Sequence, residues 1–445
     1  MEKPWSELTK EEKRAHREAD YLEGKGIKFR DTRAEKYYKE RARRMVTAMR
    51  CEVPDRVPVN LHNGHYPAYY AGYDYKTVMY DVEKLGESWK KFAEDFYEDM
   101  DGFMGASLIS CGPAMDILDT KNTVWPGHGL PDNAISHQFV EAEYLKGDEY
   151  DLLFQDPSDF AFRVLMPRMT GAANGLAFFP PLSAMIGMPM AFSMPFTNPA
   201  VRDSFRKLIE AGEVQEQWGK RVMEIEQEIV AMGFPAYRNG MAMAPFDIIG
   251  NYLRGTKGIA TDMYRRPEKL LEAVNLVTGP YIERTIAGLN ATGGRVVAFP
   301  LHRGDDSFMS RKQFEKFYWP SLKRVIDALI EEGISVSLFA EGAYNQRLDY
   351  IGDFPKGWVT WEFDKTDMAA AKKAIGDRCC IAGNVPGSVM LYGTPQEVKE
   401  TALKLLETCA PGGGYILAQG AATTELKNPD NYRALMAAVK EAGIY

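Results

Sequence analysis

The sequence predicts an α/β protein of the (β/α)8 TIM-barrel class, on three observations. Apolar runs alternate strictly with helical patterns in the second half of the chain: "GRVVAFPL" (294–301), "GISVSLFAEG" (333–342), "GWVTWEFD" (357–364), "RCCIAGNVP" (378–386) and "GGYILAQGAA" (413–422). Such alternation implies a parallel sheet with crossover helices. The runs are apolar on both faces, as in a sheet covered on both sides or closed on itself. Three upstream runs, "VPVNL" (57–61), a strand near 106–111 and "GMAMAPFD" (240–247), bring the count to eight. An open doubly wound sheet is the competing architecture. No G-x-G-x-x-G follows the first strand, which disfavours a dinucleotide fold.

Taken in order, residues 1–50 form an N-terminal helical extension. Its first 36 residues are polar and charged, and "YYKERARRMVTAMRC" (37–51) is an amphipathic helix. Residues 51–445 form the barrel domain. "EVPDRVPVNL" reads as a turn into a strand in which Val57, Val59 and Leu61 alternate. Residues 120–235 are a long insertion between strands two and three. They include a helical stretch over 141–169 and the methionine-rich "AMIGMPMAFSMPF". A connection of this length is functional or a subdomain. The methionines are expected to fill core, with an adaptable partner surface as the alternative.

Hydrophobic residues make up 45% of the 445 and charged residues 26%, with a net charge of −8. This is the composition of a soluble enzyme, and the negative balance disfavours nucleic acid and anionic membrane as partners. The N-terminus has no apolar core of a secretory signal and no window is long enough to span a membrane, so a cytoplasmic location is expected. Cys51, Cys111, Cys379, Cys380 and Cys409 form no C-x-x-C pair and are expected to be structural thiols in a reducing compartment.

Chemistry in such a barrel gathers at the C-terminal ends of the strands. Those ends offer His62, His65 and Tyr66 on strand one, Asp116 beyond strand two and Asp247 on strand three. Strand four offers His302, Arg303, Asp305 and Asp306, and strand five Glu341. Glu362 and Asp364 follow on strand six, Asn384 on strand seven and Gln419 on strand eight. Three of six histidines fall in this ring. His302, Glu341 and Glu362 lie on neighbouring strands, and one imidazole with two carboxylates suits zinc or iron with a position left for substrate. The competing reading pairs the two glutamates with Arg303 or Lys365, or has them cap the following helices.

Several segments resemble the uroporphyrinogen decarboxylase superfamily. These are "YYKERARRMVTAMRCEVPDRVPVNL", "MAPFDIIGNYLRGTKGIATDMYRRPEKLLEAVN", "CCIAGNVPGSVMLYGTPQEVKE" and "PGGGYILAQGAATTELKNPDNYRALMAAV". The resemblance covers roughly residues 37–445, with 120–235 matched poorly, and it implies the same barrel. It also implies one of two chemistries: cofactor-free decarboxylation of a tetrapyrrole, or methyl transfer to or from a corrinoid protein. Where the decarboxylases carry "RQAGRY" this chain has "LHNGHY", so His65 stands where an arginine binds substrate carboxylates. Loss of fixed cations disfavours an octacarboxylate substrate. Asp116 in "AMDIL" matches the family's catalytic aspartate in "FSDIL", and Ala421 replaces its late histidine. Where the zinc methyltransferases place soft ligands, this chain has Phe339, Glu341 and Ala421. The Phe-Ala-x-Gly form of "FAEG" resembles the decarboxylases' own "FAKG".

The leading expectation is a methyltransferase that moves a methyl group from a small O- or N-methyl substrate to a corrinoid (cobalamin) protein, with zinc assistance. Asp116, His65, Asp305 and Glu341 are its expected catalytic residues. His62, Tyr66, Asp247, Arg303, Asn384 and Gln419 are expected to bind substrate, and His302, Glu341 and Glu362 to hold the metal. The alternative is a carboxy-lyase acting on a tetrapyrrole or a smaller carboxylated substrate with no cofactor. A third reading is a non-catalytic tetrapyrrole or corrinoid binding protein. The resemblance also implies a homodimer.

Overall fold

A computed structural model describes residues 3–187 and 189–445. Eight parallel strands follow one another around a barrel: β1 (Asn60–Leu61), β2 (Gly102–Phe103), β3 (Gly240–Met241), β4 (Val296–Leu301), β5 (Ser335–Ala340), β6 (Val359–Phe363), β7 (Cys380–Ala382) and β8 (Tyr415–Ile416). Strands β3 to β8 form one continuous parallel sheet. β1 pairs with β2 and joins β8 through the parallel bridge Val59–Leu417, where the Asn60 N–H donates to the Leu417 carbonyl at 3.0 Å. Only the β2–β3 seam lacks ladder hydrogen bonds among the described residues, and the 120–235 insertion leaves the chain between those two strands.

Residues of alternating parity along the strands sort into two apolar clusters, as a period of two requires. Val297, Phe299, Leu301, Val336, Leu338, Trp361 and Ile381 pack outward under the helices. Val296, Cys380, Ala382 and Ile416 face a small inner cluster with Tyr237. The inner face of β5 and β6 is polar and small, with Ser335, Ser337, Thr360 and Glu362 all buried. Helix α1 (Lys10–Glu23) begins at a capping box in which Thr9 and Glu12 satisfy each other's backbone N–H. Helix α2 (Thr32–Met49) sends Met45, Ala48 and Met49 into the inner cluster, so it forms the barrel floor.

The insertion differs from its expected form. The strand expected near 106–111 lies earlier, at Gly102–Phe103, and Ala106–Leu108 is a 3-10 turn. Residues 141–149 carry no helix, and 150–169 break into short pieces that restart at Pro157 and Met166–Pro167. A long helix, α3 (Pro199–Ala231), closes the insertion and buries Trp218, Val222, Ile225 and Ile229 against the barrel. The methionine-rich stretch does not fill core. Ile186, Met190, Phe192 and Met194 are all exposed, Met190 by 81%, because proline-punctuated 3-10 turns hold them away from the body; Met188 lies outside the described residues. All five cysteines are free and buried, and no described helix is long and apolar enough to cross a membrane.

Candidate active site

A cavity of about 480 Å3 opens at the C-terminal ends of β4 and β5. His302, Arg303 and Glu341 line it from the strands, and Asn251 and Thr256 from the segment after β3. Phe139 and Glu141 roof it from the insertion. Glu341 follows the last residue of β5, where the chain must turn at once. Gly342 has φ +78°, and a Cβ there would stand 2.8 Å from Asp305, so only glycine fits.

Asn251 organises the cavity. Arg303 donates to its side-chain oxygen, which turns its amide nitrogen toward His302 Nδ1 at 2.8 Å. Nδ1 is therefore an acceptor and the imidazole proton sits on Nε2, which faces Glu341 Oε1 at 3.8 Å. Burial and the Arg303 charge push His302 down to about 4, so the ring is neutral at ordinary pH. Burial, with the neighbouring Asp247 and Asp364 charges, pushes Glu341 up to about 7. A carboxyl poised near neutrality beside a neutral imidazole can give or take a proton at working pH.

Asp247 sits beneath this pair. It accepts the backbone N–H of His302 at 3.0 Å and the Tyr318 hydroxyl at 2.6 Å. Burial raises it to about 6. Its expected role is substrate binding, but it is fully buried and positions β4 instead. Arg303 also donates to Glu141 at 2.9 Å and to Thr256 at 3.0 Å, so its charge is already matched.

The expected metal set does not converge. The described residues contain no group of three or more His, Cys, Asp or Glu side chains able to hold one ion. Glu362 lies inside the barrel, where Arg238 and Ser337 both donate to it and His62 Nε2 stands 3.0 Å away. Arg238 offsets the burial and holds Glu362 far below the usual carboxylate range. This is a compensated interior charge, so the residues present do not fit zinc or iron at this site.

The remaining candidates divide. His65 is buried and stacks on Tyr75 at 4.4 Å, with His137 beyond; burial pushes it down to about 4. Tyr66 packs with Phe92 and Tyr432 in an aromatic core cluster rather than facing the cavity. Asp116, on the helix Gly112–Leu118, is half exposed, accepts the Tyr80 hydroxyl at 2.9 Å and does not line the cavity. Asp305 spends both oxygens capping the turn at Ser307 and Phe308. Asn384 donates to the carbonyls of Asp364 and Thr366. Gln419 is fully buried against Thr423. None of these side chains lines the cavity, and local hydrogen bonding or burial engages each of them.

Sequence reasoning missed Asn251, Glu141, Thr256 and Arg238. Asn251 was within reach, since it follows Asp247 by four residues, one turn along the same segment. Glu141 opens the stretch that reads as helical over 141–169, whereas residues 141–149 carry no helix, so its place over the cavity does not follow from that pattern. Arg238 precedes β3, so a search of strand ends passes over it.

Residues 190–442, more than half of the chain, match the family described as uroporphyrinogen decarboxylase (URO-D). A uroporphyrinogen decarboxylase from Pseudoalteromonas translucida is 23% identical over 224 residues, covering 49% of this chain and 60% of the relative. One from Cellvibrio japonicus is 25% identical over the same length and shares. The chain thus spans about 60% of the length of these curated relatives. A solved methyltransferase from Methanosarcina mazei superposes with a TM-score of 0.57 at 14% identity, covering 91% of this chain and 98% of that one. That likeness supports the barrel fold.

Proposed function

The chain belongs to the uroporphyrinogen decarboxylase family, and from that premise we propose that it is a methyltransferase acting on a small methyl ether or methylamine, with a corrinoid protein as methyl acceptor. The observation that carries this reading is the Glu341–His302 pair in a cavity of about 480 Å3. That volume lies in the lower half of the range of about 300–1,000 Å3 for small-molecule sites. Of the charged groups that line the cavity, Arg303 is already paired with Glu141, which leaves Glu341 and no free cation among the described residues. Such a mouth offers a polycarboxylate no counter-charge and accepts a neutral or cationic substrate.

Phe139, Tyr252 and Phe308 give the cavity apolar walls that hold the substrate body and exclude water. The Asn251–Arg303 lock fixes His302, whose Nε2–H is placed to orient the substrate heteroatom. As the methyl carbon departs, the bonding pair remains on the substrate oxygen or nitrogen, and protonated Glu341 delivers its proton there. Phe139 is 65% exposed, so the cavity reaches the surface beside it, as a prosthetic group carried by a second protein requires. A corrinoid would supply a nucleophilic metal for the methyl group.

Purified chain would be mixed with reduced cobalamin and a panel of aryl methyl ethers and methylamines, and methylcobalamin followed by absorbance. The expected result is turnover that falls about a hundredfold or more in Glu341→Gln. CO2 release from a carboxylated substrate without methyl transfer would replace this reading with the lyase reading, which the names of the curated relatives favour. Tetrapyrrole or corrinoid binding without either turnover would point to a binding protein.

A further inference from the structure

We propose that the barrel floor, opposite the mouth, carries a second binding site for a small organic anion bearing a phosphate or carboxylate group. A cavity of about 680 Å3 lies between α1 and the segments leading into β3 and β4. Its deepest cation is Arg295, one residue before β4 and only 4% exposed. Arg44, Arg238 and Arg254 each meet a buried carboxylate. Arg295 meets none among the described residues. Its guanidinium lies 3.6 Å from the centre of the Tyr21 ring, makes one long hydrogen bond of 3.4 Å to the Tyr237 carbonyl, and leaves Nε without a partner. The Tyr21 hydroxyl is likewise buried and unpartnered. A buried cation without a counter-charge is costly, and an anion entering the cavity would relieve that cost.

The rest of the cavity agrees in shape and leaves Arg295 as its unmatched cation among the described residues. Arg17 also lines it, but donates to the Gly294 carbonyl at 2.8 Å and stands 3.8 Å from Glu332, and Lys25 is 3.0 Å from the cavity's one acid, Asp20. Trp5, Ile27 and Tyr38 supply an apolar wall, and the volume exceeds what an inorganic anion fills. The ligand therefore has a charged head for Arg295 and a flat or apolar body for that wall. Because α1 forms one side and the barrel the other, binding would clamp α1 to the floor.

The test uses the full chain with three probes, inorganic phosphate, adenosine monophosphate and benzoate, followed by calorimetric titration and by hydrogen exchange across α1. At least one probe is expected to bind saturably and to slow exchange in residues 10–23. Affinity should fall about tenfold or more in Arg295→Gln, about threefold in the exposed variant Lys25→Glu, and not at all in Glu341→Gln. Phosphate probes binding where benzoate does not, or the reverse, assigns the head group. No saturable binding at about 10 mM of any probe, or binding insensitive to Lys25→Glu, would overturn the proposal. Should Arg295→Gln fail to fold, Lys25→Glu and the exchange pattern of α1 decide.

Discussion

Two histidine–glutamate pairs sit in the same barrel and behave oppositely. His62 and Glu362 are buried in the interior, 3.0 Å apart, with Arg238 and Ser337 completing the set. His302 and Glu341 are half-buried at the mouth, 3.8 Å apart, and at Glu341 burial and the Asp247 and Asp364 charges outweigh Arg303. Arginine holds Glu362 ionised, whereas neighbouring acids and burial hold Glu341 on the edge of protonation. Both are glutamates near the C-terminal ends of adjacent strands, but Glu362 lies within β6 opposite Phe339, whereas Glu341 follows the last residue of β5. What separates the structural charge from the reactive one is this difference in depth together with the third group, a cation in one case and further acids in the other.

The sharpest way to test that contrast is to remove each key group and read stability and turnover separately. Arg238→Met leaves Glu362 buried with a neutral neighbour, and a loss of about 3 kcal/mol in chemical denaturation is expected. Glu362→Gln should cost less, because Arg238 is partly exposed and can turn to water. Glu341→Gln should change stability by no more than about 1 kcal/mol and lower methyl-transfer turnover about a hundredfold or more. A stability loss from Glu341→Gln as large as that from Arg238→Met would erase the distinction.

The pairs also predict opposite slopes of stability against pH. Glu362 has a depressed folded value, so its contribution is present above about 4.5 and is lost as pH falls below that. Glu341 has a raised folded value, so its contribution is fully present below about 4.5 and is lost as pH rises through about 7. Glu341→Gln should therefore flatten the decline between pH 5 and 8, by about 1 kcal/mol after screening at its half-exposed position. Turnover that depends on protonated Glu341 should fall over the same window as pH rises. Thermal melts and pH–rate profiles of the two proteins measure both.

Metal content sharpens the comparison from another side. Because Glu362 is committed to Arg238, His302 and Glu341 are left as a two-ligand set, too few for a tight zinc or iron site. Mass spectrometry of chain purified without chelators is expected to find well under one zinc or iron per chain, with no difference in Glu341→Gln. About one metal per chain, lost in Glu341→Gln, would restore the metal reading.

How much of this was legible in the sequence follows from what each element depends on. The strands from β4 to β8 were, because a buried parallel strand writes an apolar run that survives without its neighbours. His302, Arg303 and Glu341 were, because strand ends in a barrel point to one mouth. The partners were not. Whether Glu362 meets a metal or an arginine depends on Arg238, which arrives from before β3 and reaches inward from the other end of the barrel. The roof was not, because the pattern from residue 141 reads as helix, whereas the structure has a two-residue strand at Gln138–Phe139 and no helix before Tyr150. Asp116, matched by motif alone, came to rest beside Tyr80 and His128, outside the cavity, because the helix that carries it turns the side chain half out to solvent.

The smallest expected effect tests the lock that makes the mouth pair reactive. Asn251 holds His302 in one tautomer because Arg303 fixes its amide. Asn251→Asp would present an acceptor to Nδ1 in place of the donor, so the neutral ring would carry its proton on Nδ1 with Nε2 bare toward Glu341, and protonation of Nε2 to give the charged ring would become easier. The introduced carboxylate would also take a share of Arg303 from Glu141, which leaves the overall ion pairing of the mouth intact. Stability should change by less than about 1 kcal/mol, as for a partly exposed polar exchange. Turnover should fall about tenfold and its pH profile should shift, since the hydrogen that faces the substrate would come from a titrating imidazolium. An NMR titration of the His302 ring, compared between the two proteins, reads the tautomer directly. An unchanged ring spectrum with unchanged turnover would mean that Asn251 is packing, and the mouth pair would then owe its behaviour to burial and neighbouring charge alone.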